Sequence, residues 1–124
     1  MSTIFTKIIQ GELPSYKIYE DDRTYAFLDI EPEAPGHTLV IPKVEVDKIY
    51  DLDDTDYAAV MATVKKLAKH FEKVLNERII IKVVGTDVPH AHVHLLPVNE
   101  NWTGHPRLKL TPEEMEEIRT KLAL

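Results

Sequence analysis

Three histidines occupy alternate positions in residues 89–97, which read PHAHVHLLP. Side chains at every second position of a β-strand point to one face, so the spacing predicts a strand that presents His90, His92 and His94 together while the residues between them face the core. The small and apolar neighbours favour a central strand over a histidine-rich surface strand. Imidazole serves as nucleophile, general acid or metal ligand near neutral pH, and the segment therefore predicts a chemical site.

Two chemistries compete for these histidines. Two histidines at i and i+2 can chelate Zn²⁺, but such a site also needs a third or fourth ligand and a carboxylate partner. In the alternative, one imidazole attacks as a nucleophile while its neighbours orient it and stabilise the charge that develops. The chain contains no cysteine, which excludes disulfides, thiol catalysis and thiolate metal sites.

The elements that position the histidines follow from apolar periodicity and from the Gly, Pro and Asp breakers. Helices are predicted over residues 4–10, 56–76 and from 112 onward, and strands over residues 16–19, 24–30, 37–42, 79–84 and 91–96. Asp54 or Thr55 is expected to cap the long helix, and Thr111, followed by Pro112, the last one. The expected fold class is α+β: a mainly antiparallel sheet with one long helix packed on it, a short N-terminal helix and a C-terminal helix.

Length and charge restrict the remaining possibilities. A chain of 124 residues is expected to form one domain over residues 1–124. The formal net charge of −6 argues against binding an extended nucleic-acid backbone. The N-terminus lacks a charged start followed by a long apolar run, and no apolar stretch is long enough to span a bilayer. We therefore expect no membrane association and a cytoplasmic location.

Further segments give the triad a context. Residues 4–15 (IFTKIIQGELPS), 26–30 (AFLDI) and 35–43 (PGHTLVIPK) precede it. In this order, and with two apolar residues after the triad, they resemble the histidine triad (HIT) family of nucleotide hydrolases and transferases. The resemblance runs from the N-terminus to Pro97. It changes the interpretation of His37, which taken alone would be a structural or surface histidine at the start of a strand.

The resemblance implies a role for each histidine. The middle one, His92, would attack the α-phosphorus of a nucleotide and form a nucleotidyl-histidine intermediate, which water cleaves to release a nucleoside monophosphate. His94 would lie beside the α-phosphate and the leaving group. His90 and His37 would buttress the site. An imidazole nucleophile needs no metal, so neither a metal nor another cofactor is expected.

The resemblance also implies a nucleotide site. Asp29 would bind the ribose hydroxyls, while Phe27, Leu28 and Ile30 would form the wall against which the base packs. Taken alone, Asp29 has a second interpretation, as a strand-end aspartate that starts the turn to Pro32. The expected substrate is a purine nucleotide, either a nucleoside phosphoramidate or a dinucleoside polyphosphate, and a homodimer is the expected assembly. The alternative is a non-catalytic nucleotide-binding or metal-binding adaptor that uses the same pocket.

The chain departs from the family pattern at two places. Many relatives hold a structural zinc with a cysteine pair and a histidine, whose positions match Thr3, Thr6 and Glu45, so no zinc site is expected here. The glycine-glutamine-serine or -threonine segment before the triad is replaced by residues 85–87, GTD, in which Thr86 could donate a hydrogen bond to a phosphate. Trp102 is expected to be a core or interface residue.

Overall fold

The computed structural model describes residues 3–86, 88–98 and 107–124. Within these residues the helices are α1 (Ile4–Ile9), α2 (Asp54–Leu75) and α3 (Pro112–Leu122), with a short 3₁₀ turn at Ile49–Asp51. The strands are β1 (Lys17–Glu20), β2 (Thr24–Leu28), β3 (Thr38–Pro42), β4 (Arg78–Lys82) and β5 (Val93–Val98). They form one sheet in the order β1-β2-β3-β5-β4, and every neighbouring pair is antiparallel. The predicted α+β fold class is therefore confirmed.

The two faces of the sheet carry different side chains. One face packs on α2 and buries Val40, Val93 and Leu95 with the apolar stripe of that helix, as the alternation around the triad predicts. The opposite face packs on α1. Phe27 lies across from Leu39, and Leu39 lies across from His94. Residues directly opposite in antiparallel strands share a face, so the register places His94 in one row with apolar residues of β2 and β3.

Two predicted helix starts had different outcomes. Thr111 caps α3 as predicted, in a capping box with Glu114. The cap predicted for α2 at Asp54 or Thr55 is wrong, because Asp53 accepts a hydrogen bond from the backbone N–H of Asp56 and caps the helix instead. Asp53, Asp54 and Thr55 are all good N-cap residues, so the sequence alone does not distinguish them. In the part of the chain that the structure describes, no helix combines the length and apolarity needed to cross a membrane.

Gly36 shapes the chain just before β3. Its φ of +91° lies in the left-handed region that glycine tolerates. A Cβ at this position would lie 3.1 Å from Pro97 Cγ and 3.2 Å from Leu122 Cδ1, so the close approach also requires glycine. The turn delivers His37 fully buried at the entrance to β3.

Candidate active site

The structure brings the four histidines together, although not in one straight row. All four are at most 3% exposed. The ring centroids of His92 and His94 are 5.0 Å apart, and those of His37 and His94 are 5.1 Å apart. The predicted strand start at Ala91 is wrong, since β5 begins at Val93. His90 therefore lies in irregular chain before the strand, and its imidazole contacts residues of α1 instead of joining the row.

The hydrogen bonds of His92 assign its tautomer. Its Nδ1 lies 2.7 Å from the backbone carbonyl oxygen of His90. A carbonyl can only accept, so Nδ1 carries the proton and donates it. The neutral ring of His92 therefore has its lone pair on Nε2. Phe5 packs edge-on against this ring, with centroids 5.2 Å apart and an interplanar angle of 81°.

His94 has the opposite tautomer, and a relay of two hydrogen bonds assigns it. The backbone N–H of Glu33 donates to His37 Nδ1 at 3.1 Å, so the neutral His37 ring carries its proton on Nε2. That N–H donates to His94 Nδ1 at 2.9 Å. The neutral His94 ring must then carry its own proton on Nε2. Burial lowers the pKa of His37, against the opposing charge of Asp29, which favours the neutral ring that this relay requires.

Asp29 lies next to this relay and also fixes a turn. Its Oδ2 is 3.8 Å from His37 Nε2. Its Oδ1 accepts the backbone N–H of Glu31 at 2.8 Å, as a turn-initiating aspartate does. Arg107 donates to Asp29 Oδ2 at 2.9 Å and to the carbonyl oxygen of Glu31 at 2.7 Å. The turn interpretation is therefore correct, and it also places the carboxylate beside the histidines.

A second ion pair flanks His37. Lys82 donates to Glu33 Oε2 at 2.9 Å, and Lys82 lies opposite His94 in the pairing of β4 with β5. Burial raises the pKa of the Glu33 carboxyl, but the hydrogen bond and charge of Lys82 outweigh it and hold that pKa below its usual range. No local pattern around Lys82, Glu33 or Arg107 indicates these contacts, because their partners are set by tertiary structure.

An apolar cavity of about 330 Å³ opens beside Asp29. The predicted residues Phe27, Leu28 and Ile30 line it together with Asp29. Ile4, Phe5 and Ile8 of α1 line it as well, and the sequence analysis missed them. Their i, i+1, i+4 spacing on a short helix was the available signal for an apolar face. A cavity of this size, apolar with one carboxylate at its edge, has the features of a small-molecule site.

Comparison with known proteins identifies the family. The HIT domain model matches residues 10–101. The chain belongs to the HIT domain family. An adenosine 5'-monophosphoramidase of Schizosaccharomyces pombe is 36% identical over 98% of this chain and 99% of its own. An uncharacterized HIT-like protein of Borreliella burgdorferi is 35% identical over 98% of this chain and 96% of its own. The crystal structure of a Hit-like protein of Bartonella henselae, described as involved in cell-cycle regulation, has a TM-score of 0.91 at 36% identity and covers 98% of this chain and 93% of that one.

Not every residue predicted for the HIT site lies in it. Thr86 is exposed in the loop after β4, outside the lining of the apolar cavity. A separate small cavity beside His92, of about 80 Å³, is lined by Gly85 and not by Thr86. Trp102, expected to be a core or interface residue, lies outside the described part of the chain, and so does Asp87.

The structural zinc site of other HIT proteins does not fit this chain. The matching side chains, those of Thr3, Thr6 and Glu45, lie beside His90 and are joined by hydrogen bonds. Thr3 and Thr6 offer only neutral hydroxyls, which are not the thiolate, imidazole or carboxylate donors that Zn²⁺ takes in tetrahedral sites, so the cluster has two such donors, Glu45 and His90, instead of four.

Proposed function

We propose that the protein is a nucleotide hydrolase or transferase that cleaves at the α-phosphorus of a purine nucleotide through a nucleotidyl-His92 intermediate. Membership of the HIT family and similarity to yeast adenosine 5'-monophosphoramidases support this reaction class. The preferred substrate is a nucleoside phosphoramidate, with a dinucleoside polyphosphate as the second substrate class.

One observation carries the proposal: the four histidines do not share a tautomer. Three of them carry the proton on Nε2 in the neutral form. In His37 and His94 the Nδ1 accepts a hydrogen bond, and in His90 the Nε2 donates to the carbonyl oxygen of Pro42. His92 alone among them donates through Nδ1 and keeps its lone pair on Nε2. A nucleophile needs that lone pair, whereas a donor to a leaving group needs an N–H. This pattern supports His92 as the nucleophile and His94 as the donor.

The reaction balances in two steps. His92 Nε2 attacks the α-phosphorus, and the bond from phosphorus to the leaving nitrogen or oxygen breaks. One proton from solvent protonates the hydrogen-bonded pair of His37 and His94, and the Nε2–H of His94 then passes to the leaving group, so that the pair is neutral again after the transfer. Water then attacks the phosphorus of the nucleotidyl-histidine, which restores His92 and returns one proton to solvent. Charge that develops on the phosphate oxygens is stabilised by N–H donors of the buried site.

The apolar cavity supports binding of the nucleoside. We propose that the base packs between α1 and β2, against Phe5, Phe27 and Ile30, and that Asp29 accepts hydrogen bonds from the ribose hydroxyls. Each Asp29 oxygen already accepts one hydrogen bond, and a carboxylate oxygen has a second acceptor site. The turn contacts and the proposed ribose contacts can therefore coexist.

The test is hydrolysis of adenosine phosphoramidate and diadenosine polyphosphates by wild type and by His92→Asn, with and without a chelator. We expect adenosine monophosphate from wild type regardless of the chelator, and a loss of several decades in rate for the variant. Alkaline quenching of the wild-type reaction should leave labelled nucleotide on the protein. Binding of adenosine monophosphate without turnover would favour the adaptor function, and full activity in His92→Asn would refute the mechanism.

We also propose that two copies pair through β4. This strand lies at the edge of the sheet, where Ile81 is 48% exposed, and Val83, directly after the strand, is 49% exposed. An open edge with exposed apolar side chains is a ready surface for strand pairing. Light scattering should give the mass of a dimer for wild type and of a monomer for Ile81→Lys. A monomeric wild type would contradict the proposal.

A further inference from the structure

We propose that Thr3 is a positioning residue for the nucleophile: its hydroxyl caps α1 and donates to His90, and this contact holds both Phe5 and the His90 carbonyl against His92. The inference rests on the proposed function, because it assigns a role relative to the attacking imidazole. It starts from a cluster at the N-terminus of α1 that the reaction itself does not use.

The available donors and acceptors determine which hydroxyl donates to His90. His90 Nε2 donates to the carbonyl oxygen of Pro42 at 2.9 Å, so the neutral ring has an acceptor at Nδ1. Thr3 Oγ1 lies 2.9 Å from that Nδ1. Thr6 lies farther from it, at 3.5 Å, and donates its hydroxyl to Glu45 Oε1 at 2.5 Å. The hydroxyl proton of Thr3 is therefore the one that His90 accepts.

The same oxygen also begins the helix. Thr3 is the N-cap of α1, and its Oγ1 accepts the backbone N–H of Thr6 at 3.1 Å. Glu45 adds a second anchor, because it accepts the backbone N–H of Thr3 at 2.9 Å. The Thr6 hydroxyl and the Thr3 N–H hold the pKa of Glu45 below its usual range, so Glu45 remains an acceptor near neutral pH. The Thr3 hydroxyl thus donates its proton to His90 and accepts a backbone N–H of α1.

Two routes lead from this contact to His92. Through the side chains, α1 carries Phe5, whose ring packs at 5.2 Å from the His92 ring and 5.8 Å from the His90 ring. Through the backbone, the His90 carbonyl oxygen accepts the Nδ1–H of His92. The backbone N–H of His90 donates to Val88 and its imidazole is bonded at both nitrogens, so the carbonyl has a fixed direction. Burial lowers the pKa of His90, which keeps Nδ1 available as an acceptor.

Three substitutions of Thr3 separate its two hydrogen bonds. Thr3→Ser keeps the cap and the donor. Thr3→Asp keeps the cap but has no hydroxyl proton to donate, and it is assayed at about pH 8, above the range in which imidazoles protonate. Thr3→Val has the shape of threonine but neither function. Each variant is measured for single-turnover cleavage of adenosine phosphoramidate and for the Kd of adenosine monophosphate.

We expect Thr3→Ser to match wild type in both measurements. Thr3→Asp should keep the wild-type Kd, because α1 remains capped, but cleave about 10-fold more slowly, on the scale of a small displacement of reacting groups. Thr3→Val should lose rate and also bind more weakly, because α1 lines the base cavity. A wild-type rate in Thr3→Asp would overturn the proposal and leave Thr3 as a helix cap alone.

A second readout needs no turnover. The ¹⁵N shifts of the imidazoles report which nitrogen carries the proton and how strongly it is hydrogen-bonded. We expect the Nδ1 signals of His90 and His92 to move in Thr3→Asp and Thr3→Val and to stay in place in Thr3→Ser. If wild type cleaves no nucleotide, the proposed function fails while these shifts still decide the role of Thr3. Unchanged His92 shifts in all three variants would refute that role.

Discussion

The relay through His37 predicts that two similar substitutions will separate activity from stability. His37 accepts the Glu33 N–H through Nδ1 and donates to His94 through Nε2. The amide of asparagine reaches roughly the position of Nδ1, and the amide of glutamine reaches roughly that of Nε2. His37→Asn should therefore keep the contact with Glu33 and lose the one with His94, and His37→Gln should do the reverse. Both amides are neutral, as is the buried imidazole that they replace.

The magnitudes follow from which group is left without its partner. In His37→Asn the buried His94 Nδ1 loses its donor, so the Nε2–H tautomer is no longer imposed and the ring can reorient. We expect the single-turnover rate to fall by about 10- to 100-fold, on the scale of a misplaced reacting group. In His37→Gln the Glu33 N–H loses its acceptor, and the rate should fall less. Each variant leaves one polar group without its partner, which costs about 1 to 3 kcal/mol of unfolding free energy. Both losses are smaller than the usual stability of a domain, so both variants should fold.

The assay is single-turnover cleavage of adenosine phosphoramidate, paired with urea unfolding of the same preparations. The expected pattern is a higher rate for Gln than for Asn at similar stability. Equal rates in the two variants would show that His37 does not act through His94. A slower Gln than Asn would reverse the direction of the relay and refute the tautomer assigned to His94.

Three further outcomes are expected. Asp29→Asn should weaken binding of adenosine monophosphate by roughly 10- to 150-fold, the equivalent of about 1.5 to 3 kcal/mol, and the 2',3'-dideoxy analogue should bind wild type and variant equally; a variant that still prefers ribose would leave Asp29 as a turn residue only. Urea unfolding should show that the free energy of unfolding falls as the pH drops below about 6.5. Burial lowers the pKa of His37 and His90 from this ordinary value, so the unfolded chain binds protons that the native rings do not. The slope is about 1.4 kcal/mol per pH unit for each histidine, and a flat profile between pH 6.5 and 5 would contradict the prediction. Added Zn²⁺ or Cu²⁺ should inhibit turnover, since Asp29, His37 and His94 offer ligand atoms within 4.8 Å of one another and imidazole binds these ions readily. A chelator should leave activity unchanged or raise it. A stoichiometric metal whose removal abolishes activity would favour a metalloenzyme.

Local signals predicted the parts of the fold that depend on neighbouring residues. The capping box at Thr111 needs only residues up to Glu114, and the structure contains it. The alternation around the triad likewise placed Val93 and Leu95 in the core under α2. The cap of α2 was missed by one residue, because three adjacent side chains compete for one position and tertiary packing selects among them.

Contacts between distant segments could not be read from the sequence. The relay needs the Glu33 N–H beside His37, and the turn at Gly36 creates that proximity. The docking of α1 on the site is similar: its apolar face was visible in the sequence, but its partner was not. Phe5 reaches His92 only because α1 packs on the sheet face opposite α2. The sequence thus contained the candidate groups, and the tertiary register determined their protonation and orientation.

The tautomers also explain why a neighbouring histidine would not substitute for His92. For His94 to attack through Nε2, its proton would have to move to Nδ1, and that nitrogen already accepts the N–H of His37 at 2.9 Å. For His37 to donate elsewhere, it would have to give up the bond that Glu33 directs. Moving the His94 proton alone breaks its bond with His37, and switching both rings breaks the bond between Glu33 and His37 instead. Either change costs one hydrogen bond, about 0.5 to 1.5 kcal/mol, and leaves two N–H donors facing each other. The residual activity of His92→Ala should consequently show no nucleotide bound to His94, and peptide mapping of the alkali-quenched protein would reveal it if it formed.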